Sequence, residues 1–337
     1  MKAVVLNKIG PPHVLKISDL EEPEPDINQV RINTQFIGVN YAEILSRKGL
    51  YGWAIKRPYI LGMECSGIVD KIGENVSPEL VGKKVIIGQQ NGCYAEKVVA
   101  PVSQVIPALD HFSMEENAAF LINYMTAWVS MMELAHLQSD ESFLVTAAAG
   151  GVGTAATQLA AAHHCTVYGL AGNDEKVDFL NTIGVKKAFN YNSERWTDQL
   201  KRSDYGVDVI LEMVGGDVYK QCLNLINPFG RLVVAGFASL NLRWWNPLSW
   251  WRTWRDIPRV QLAKIGEQSV GVFATHLGYL LKDENRLLKI YENLKSFLIK
   301  NNIKPVISRI YPLEEVAEAH AYIESRLSIG KVLLKIT

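Results

Sequence analysis

The run Ala147-Ala148-Ala149-Gly150-Gly151-Val152-Gly153 has the residue types and spacing of a phosphate-binding turn. Glycines there let the backbone come close to a pyrophosphate, and a helix that starts at the turn offers unpaired N–H groups and the positive end of its dipole. A glycine-rich turn alone is as often tight packing. Here it follows the apolar run SFLVTAA and opens GTAATQLAAAHH, so strand, turn and helix stand in the required order. The kind of dinucleotide depends on the end of the next strand, TVYGLAGND, where an NAD-selective site presents a carboxylate to the ribose 2′-hydroxyl. Ala171-Gly172-Asn173 occupy that edge, and Lys176, one helical turn on, offers a cation to a 2′-phosphate. The pattern favours NADP(H). Asp174 and Glu175 weigh against it, and the plainer reading leaves Lys176 a solvated helix residue.

Other reactive side chains form no cluster. Cys65, Cys93, Cys165 and Cys222 lie far apart without a CxxC, which excludes a disulfide framework or a Cys-rich zinc loop and points to a reducing, cytoplasmic setting. His13, His163 and His164 read as solvated ends of elements, and no Ser-His-Asp or Cys-His arrangement emerges from the spacing.

The elements that must hold the glycine turn are legible from their periods. Up to about Ser113 the chain is short β-rich runs, among them QVRINTQFIGV, GIVDKIG and KKVIIG, punctuated by Gly73, Gly82, Gly88 and Pro101. That is an irregular, mostly antiparallel β unit. Ser113 with Glu116 three residues on forms a capping box, and Ala118, Leu121, Ile122, Met125, Trp128, Val129 and Met132 follow at helical spacing. Strands and helices then alternate to GRLVVAGF, the pattern of a doubly wound parallel sheet. Beyond about Ser269 come a helix over 284–300, VISRIYP, a helix containing Glu314 to Ser325, and the closing strand GKVLLKI. These last strands have no sheet of their own and are expected to complete the N-terminal β unit. The expected organisation is α/β: a β-rich domain of residues 1–115 and 269–337, and a Rossmann domain of residues 116–268.

The chain has 337 residues, enough for about two domains of ~150 residues. Lys+Arg 35 against Asp+Glu 35 gives a formal net charge of zero, which removes the long-range field of a dedicated nucleic-acid binder. MKAVVLNKIG is interrupted by Asn7 and Lys8 and reads as a first strand, not a signal peptide. The charge-free stretch from Phe143 to Ala162 carries three glycines and four polar side chains, a poor match to a membrane-spanning helix.

Over essentially its whole length the sequence resembles the zinc-independent medium-chain dehydrogenase/reductases, the quinone oxidoreductase family. The resemblance rests on GVNYAEILSRKGLY, LGMECSGIVDKIG, AAAGGVG, Asn190-Tyr191, PFGRLVVAGF and the closing GKVLL. The stretch from RTW through HLGYL and NNIKPVISRIYPLEEVAEAH is similar to the family's VAT-1 branch, a less specific match. The resemblance implies a GroES-like catalytic domain around a Rossmann doubly wound parallel sheet, NADPH in a cleft between them, and a homodimer built by joining sheet edges. It assigns phosphate contacts to Gly150, Gly151, Val152 and Gly153, 2′-phosphate contacts to Lys176 and Tyr191, and nicotinamide surroundings to Asn40, Thr126, Gly236 and Phe237. Zinc-dependent relatives have Cys at the position of Asn40, Gly-His-Glu at that of Gly62-Met63-Glu64, and a further Cys on the helix that here has none between Ser113 and Asp140. Asn amide and Met thioether are not normal zinc ligands, so no metal is expected.

Without a Lewis acid to polarise a simple ketone, easily reduced acceptors remain, namely quinones and α,β-unsaturated carbonyls. Neutral donors stabilise the charge that develops on their oxygen, and Asn40 and Tyr51 are the candidates, with Thr126 beside the nicotinamide. Equally, Asn40 can brace the turn after GVN, and Tyr51 can pack a lip. The segment LRWWNPLSWWRTWRDIPRV holds five of the eight tryptophans, Trp244, Trp245, Trp250, Trp251 and Trp254, among four arginines. Trp with Arg is the composition of a peripheral membrane anchor, and it equally suits an apolar flap or dimer contact. A nucleic-acid role has only this segment behind it. A VAT-1-like protein that binds NADPH with little turnover is the alternative function.

Overall fold

The computed structural model describes residues 1–51, 56–193, 195–203, 206–236, 249, 251, 257, 259–280 and 283–337. The chain divides into two compact units, residues 1–123, 280–285 and 304–337, and residues 124–279 and 286–303.

In the first unit the long strand Gln29–Val39 lies at the centre of a seven-stranded sheet. It pairs antiparallel with Glu64–Ile72, Lys97–Pro101 and Lys331–Lys335; alternation along it buries Val30 and Ile32, and a shift of register between Thr34 and Phe36 lets Ile37 join the same core. Ile307–Pro312 lies parallel to Lys331–Lys335, so both late strands join the sheet begun near the N-terminus, as their isolation in sequence implied. The Ser113 capping box forms in both directions: the Ser113 N–H donates to Glu116 Oε2 at 2.8 Å, and the Glu116 N–H to Ser113 Oγ at 3.2 Å. It starts the helix Met114–Trp128, which passes into a π-helical turn, Val129–Leu134.

The second unit carries a six-stranded, all-parallel sheet. Across it run Lys187–Asn190, Thr166–Ala171, Ser142–Val145, Val207–Glu212, Ile226–Val234 and Gly271–Ala274. This is the doubly wound order, with the switch point between the strands that end at Val145 and Glu212. Strands covered on both faces must be apolar throughout, and Ser142–Val145 is buried at every position.

The allotment of the late residues differs from the boundary read in the sequence, which gave all of 269–337 to the first domain. Gly271–Ala274 pairs in register with Ile226–Val234, and the helix Glu284–Lys300 turns Leu294 and Leu298 into the second unit, with Phe297 edge-on to Trp128 at 5.4 Å. An apolar face follows the core it fills, whatever its distance from that core along the chain.

Candidate functional site

The glycine turn sits at the carboxyl end of Ser142–Val145, at the switch point. Gly150 is the N-cap of the helix Gly151–Ala162, with no side-chain cap and no acidic residue in the first turn. The first N–H groups of a twelve-residue helix are thus left to an anion. Ala147 adopts φ 48°, and the chain doubles back so tightly that a Cβ on Gly153 would stand 2.3 Å from the Ala147 carbonyl oxygen.

The predicted ribose and 2′-phosphate residues gather at the same edge. Ala171 pairs with Asn190 at the ends of adjacent strands, and the Tyr191 hydroxyl lies over Gly172, 2.7 Å from where a Cβ would be. Asn173 caps the helix Asp174–Leu180 by accepting the Lys176 N–H at 2.9 Å, and Lys176 is half-buried. Asp174, the acid that weakened the case for a 2′-phosphate, accepts from Asn190 Nδ2 at 2.9 Å. Gly236 follows the strand Ile226–Val234, next to Met213. Phe237 lies outside the described residues.

Glu212 at this switch point went unremarked in the sequence. Its Oε1 accepts N–H groups from Val214 at 2.7 Å and Gly215 at 2.8 Å, and Thr146 Oγ1 at 3.4 Å, while the Met213 N–H donates to Thr146 Oγ1 at 2.8 Å. Burial pushes its carboxyl up, against the pull of those donors. A carboxylate closing the apolar strand VDVILE was the available signal.

In the first unit Asn40 is buried and is the N-cap of the helix Tyr41–Lys48. Its N–H donates to Glu43 Oε2 at 2.5 Å, its Nδ2 donates to Glu43 Oε1 at 3.3 Å, and its Oδ1 accepts from Lys331 Nζ at 2.5 Å. The Met63 N–H also donates to Glu43, at 2.9 Å. Lys331 pairs with Glu64, whose other oxygen accepts the Ile122 N–H at 3.0 Å. Burial pushes Glu43 up to about 7, opposed by Lys331 and the Asn40 hydrogen bonds. The reading of Asn40 as a turn brace is therefore realised, by charged partners that the sequence reading did not name. The spacing of Asn40 and Glu43, that of a capping box, was a signal for half of it.

Tyr51 is half-buried just before residues 52–55, which lie outside the described residues. Thr126, half-buried on the helix Met114–Trp128, belongs to the second unit, and its carbonyl accepts from Ser130 Oγ at 2.7 Å. Of the tryptophan segment only Trp251 among its tryptophans is described, and it is exposed.

Residues 26–110 match the alcohol dehydrogenase GroES-like domain, and residues 183–334 match a family described as zinc-binding dehydrogenase. The synaptic vesicle membrane protein VAT-1 homolog of Rattus norvegicus is 32% identical over 325 residues, 93% of this chain and 78% of the relative. The quinone oxidoreductase of Rattus norvegicus is 33% identical over 340 residues, 99% of this chain and 97% of the relative. The crystal structure of Escherichia coli quinone oxidoreductase complexed with NADPH superposes with a TM-score of 0.88 at 26% identity, over 99% of this chain and 100% of that one.

The donor set around Asn40 does not fit zinc. Asn40 Oδ1 and Glu64 Oε1 both bind the Lys331 ammonium, Met63 offers a thioether, and among the described residues no three His, Cys, Asp or Glu side chains converge on a point.

Proposed function

The chain belongs to the medium-chain dehydrogenase/reductases, in their quinone oxidoreductase family, and on that premise we propose that it is an NADPH-dependent reductase of quinones or α,β-unsaturated carbonyls. The observation that carries this reading is the uncapped N-terminus of the helix Gly151–Ala162 at the sheet's switch point. The NADPH-bound Escherichia coli relative supports it. Gly150, Gly151, Val152 and Gly153 hold the pyrophosphate. Lys176 and Tyr191 hold the 2′-phosphate beside Asn173, and Thr126, Gly236 and Phe237 surround the nicotinamide. When bound, NADPH supplies a hydride to the acceptor. Asn40 and Tyr51 donate hydrogen bonds to the oxygen on which the electron pair arrives, lowering the barrier until a proton from water completes the reduction.

The decisive measurement is NADPH oxidation against a panel of quinones and enones. No turnover with any of them would sink the reading. Wild-type protein is expected to bind NADPH about tenfold or more tightly than NADH, the equivalent of one charge-assisted hydrogen bond of roughly 1.5–3 kcal/mol. Lys176→Ala should narrow that gap. Equal affinities in the wild type, by fluorescence titration, would overturn the assignment of the 2′-phosphate site.

The four free cysteines support a cytoplasmic setting. The strand Gly271–Ala274, at one edge of its sheet, is the proposed contact of a homodimer.

A second reading has the VAT-1 relatives behind it, whose name is that of a vesicle membrane protein: a peripheral membrane protein that binds NADPH with little turnover, attached through the segment from Trp244 to Trp254. Among the described residues no helix is long and apolar enough to cross a membrane. We expect the wild type to stay in solution beside anionic liposomes, and replacement of Trp250, Trp251 and Trp254 by Ser to raise KM for apolar acceptors or shift dimer toward monomer. Liposome binding by the wild type, lost in the triple variant with kinetics and dimer intact, would establish the second reading instead.

A further inference from the structure

We propose that Lys331 is a positioning residue for hydride transfer: its buried ammonium, held by Glu64, fixes the flip state of the Asn40 amide and so presents one amide N–H as a donor to the reacting oxygen. The inference rests on the proposed role of Asn40 and adds the group that enforces it.

The geometry is unusually one-sided. Lys331 opens the closing strand, one step beyond the pair Val332 and Val39, and is therefore opposite Asn40. It is 2% exposed, and Glu64 is fully buried. Gly38 pairs with Glu64 across the sheet, and a Cβ there would stand 2.6 Å from Glu64 Oε1 and 2.6 Å from the Ala118 carbonyl oxygen. The missing side chain thus makes room for the carboxylate that anchors Lys331. Asn40 lies between a cation on its oxygen side and the Glu43 carboxylate on its nitrogen side. Turning the amide over would put its NH2 group against the ammonium and its oxygen against the carboxylate. The charge-assisted hydrogen bond from Lys331 would become a repulsive contact, and that contact by itself holds one orientation even with the Glu43 carboxyl pushed up to about 7. Among the described residues the amide nitrogen donates to Glu43 alone. An amide nitrogen carries two hydrogens, and the second is the one presented.

Stability alone is a poor reason for this arrangement. A buried ion pair seldom outperforms apolar side chains of the same volume, and its attested use is to enforce one arrangement over another.

The test is a double-mutant cycle between the charge-balanced change Lys331→Met with Glu64→Gln and Asn40→Ala. Its readouts are kcat and KM with 1,4-naphthoquinone, and NADPH affinity. In the wild-type background the paired change should lower kcat about tenfold with NADPH affinity unchanged, and in the Asn40→Ala background it should cost less than about twofold, the signature of action through Asn40. Equal losses in both backgrounds would overturn the proposal. If the paired variant does not fold, Lys331→Arg, which keeps the charge but moves it, takes its place under the same criterion. An activity-free readout separates this inference from the reading it rests on. Solvent exchange of the Asn40 side-chain hydrogens, followed by NMR, should speed up about tenfold or more in the paired variant, and an unchanged rate would refute the lock even in a protein that reduces quinones. Faster exchange in a protein that reduces none would uphold the lock and reject the reductase.

Discussion

Gly153→Val is expected to abolish measurable NADPH binding and to lower stability. A Cβ at this position would stand 2.3 Å from the Ala147 carbonyl oxygen and 2.6 Å from the Ala148 Cα and carbonyl carbon. All three obstacles are backbone, so relief requires opening the turn, and opening it moves the N–H groups proposed to hold the pyrophosphate. Ala147, already at positive φ, has little freedom to accommodate the shift. Overpacking of this kind costs about 1–3 kcal/mol of stability. Loss of the aligned N–H groups should weaken NADPH at least 100-fold, about 2.7 kcal/mol. Gly150→Ala is the control, since its Cβ would meet only the Ala147 oxygen, at 3.3 Å, and less than about a tenfold loss is expected. Fluorescence titration and thermal melting measure both. Tight NADPH binding by Gly153→Val would mean that the turn does not hold the pyrophosphate.

Lys331→Met alone should be among the most destabilising single substitutions in the chain, at about 3–5 kcal/mol. The methionine fills much of the same volume, so little of the loss comes from packing. It comes from Glu64, fully buried, which loses the one cation paired with it among the described residues while it keeps the Ile122 N–H. Against a total of about 5–15 kcal/mol for an ordinary domain, such a loss leaves little margin. Adding Glu64→Gln removes the orphaned charge and should recover most of the stability. Urea denaturation of the two variants decides the point, and equal stabilities would show that the Glu64 charge is not what the ammonium offsets.

What the sequence disclosed was local. The glycine turn, the Ser113 capping box and the alternation of strands with helices each depend on residues within a few positions of one another, and each stands where it was expected. The late strands were placed because they lacked partners nearby. The helix Glu284–Lys300 was misallotted because an amphipathic face shows that a core exists without saying which. Lys331 and Asn40 are 291 residues apart, and nothing in GKVLL or GVNYAE says that the two meet. Glu43 and Glu212 were passed over because a carboxylate in or beside an apolar run signals only that something must compensate it. Many of the compensating groups, Met63 and Asn40 N–H in one case and Val214 and Gly215 N–H in the other, are backbone atoms without a sequence signature, and Lys331, which also opposes the rise of Glu43, is distant along the chain.

The pairing of Lys331 with Glu64 and Asn40 also sets an order of events during synthesis. Glu43 and Glu64 leave the ribosome early, and their counter-ion follows Asn40 by 291 residues, a delay of about 15–60 s at translation rates of 5–20 residues per second. Through that interval the central strand Gln29–Val39 has no Lys331–Lys335 beside it, and the two carboxylates have no ammonium. Most of the second unit, from Tyr124 to Tyr279, emerges in one piece meanwhile. The second unit can therefore begin to take shape first on the nascent chain. The first unit, by contrast, lacks both a partner strand for Gln29–Val39 and the ammonium beside Glu64 until Lys331–Lys335 is made.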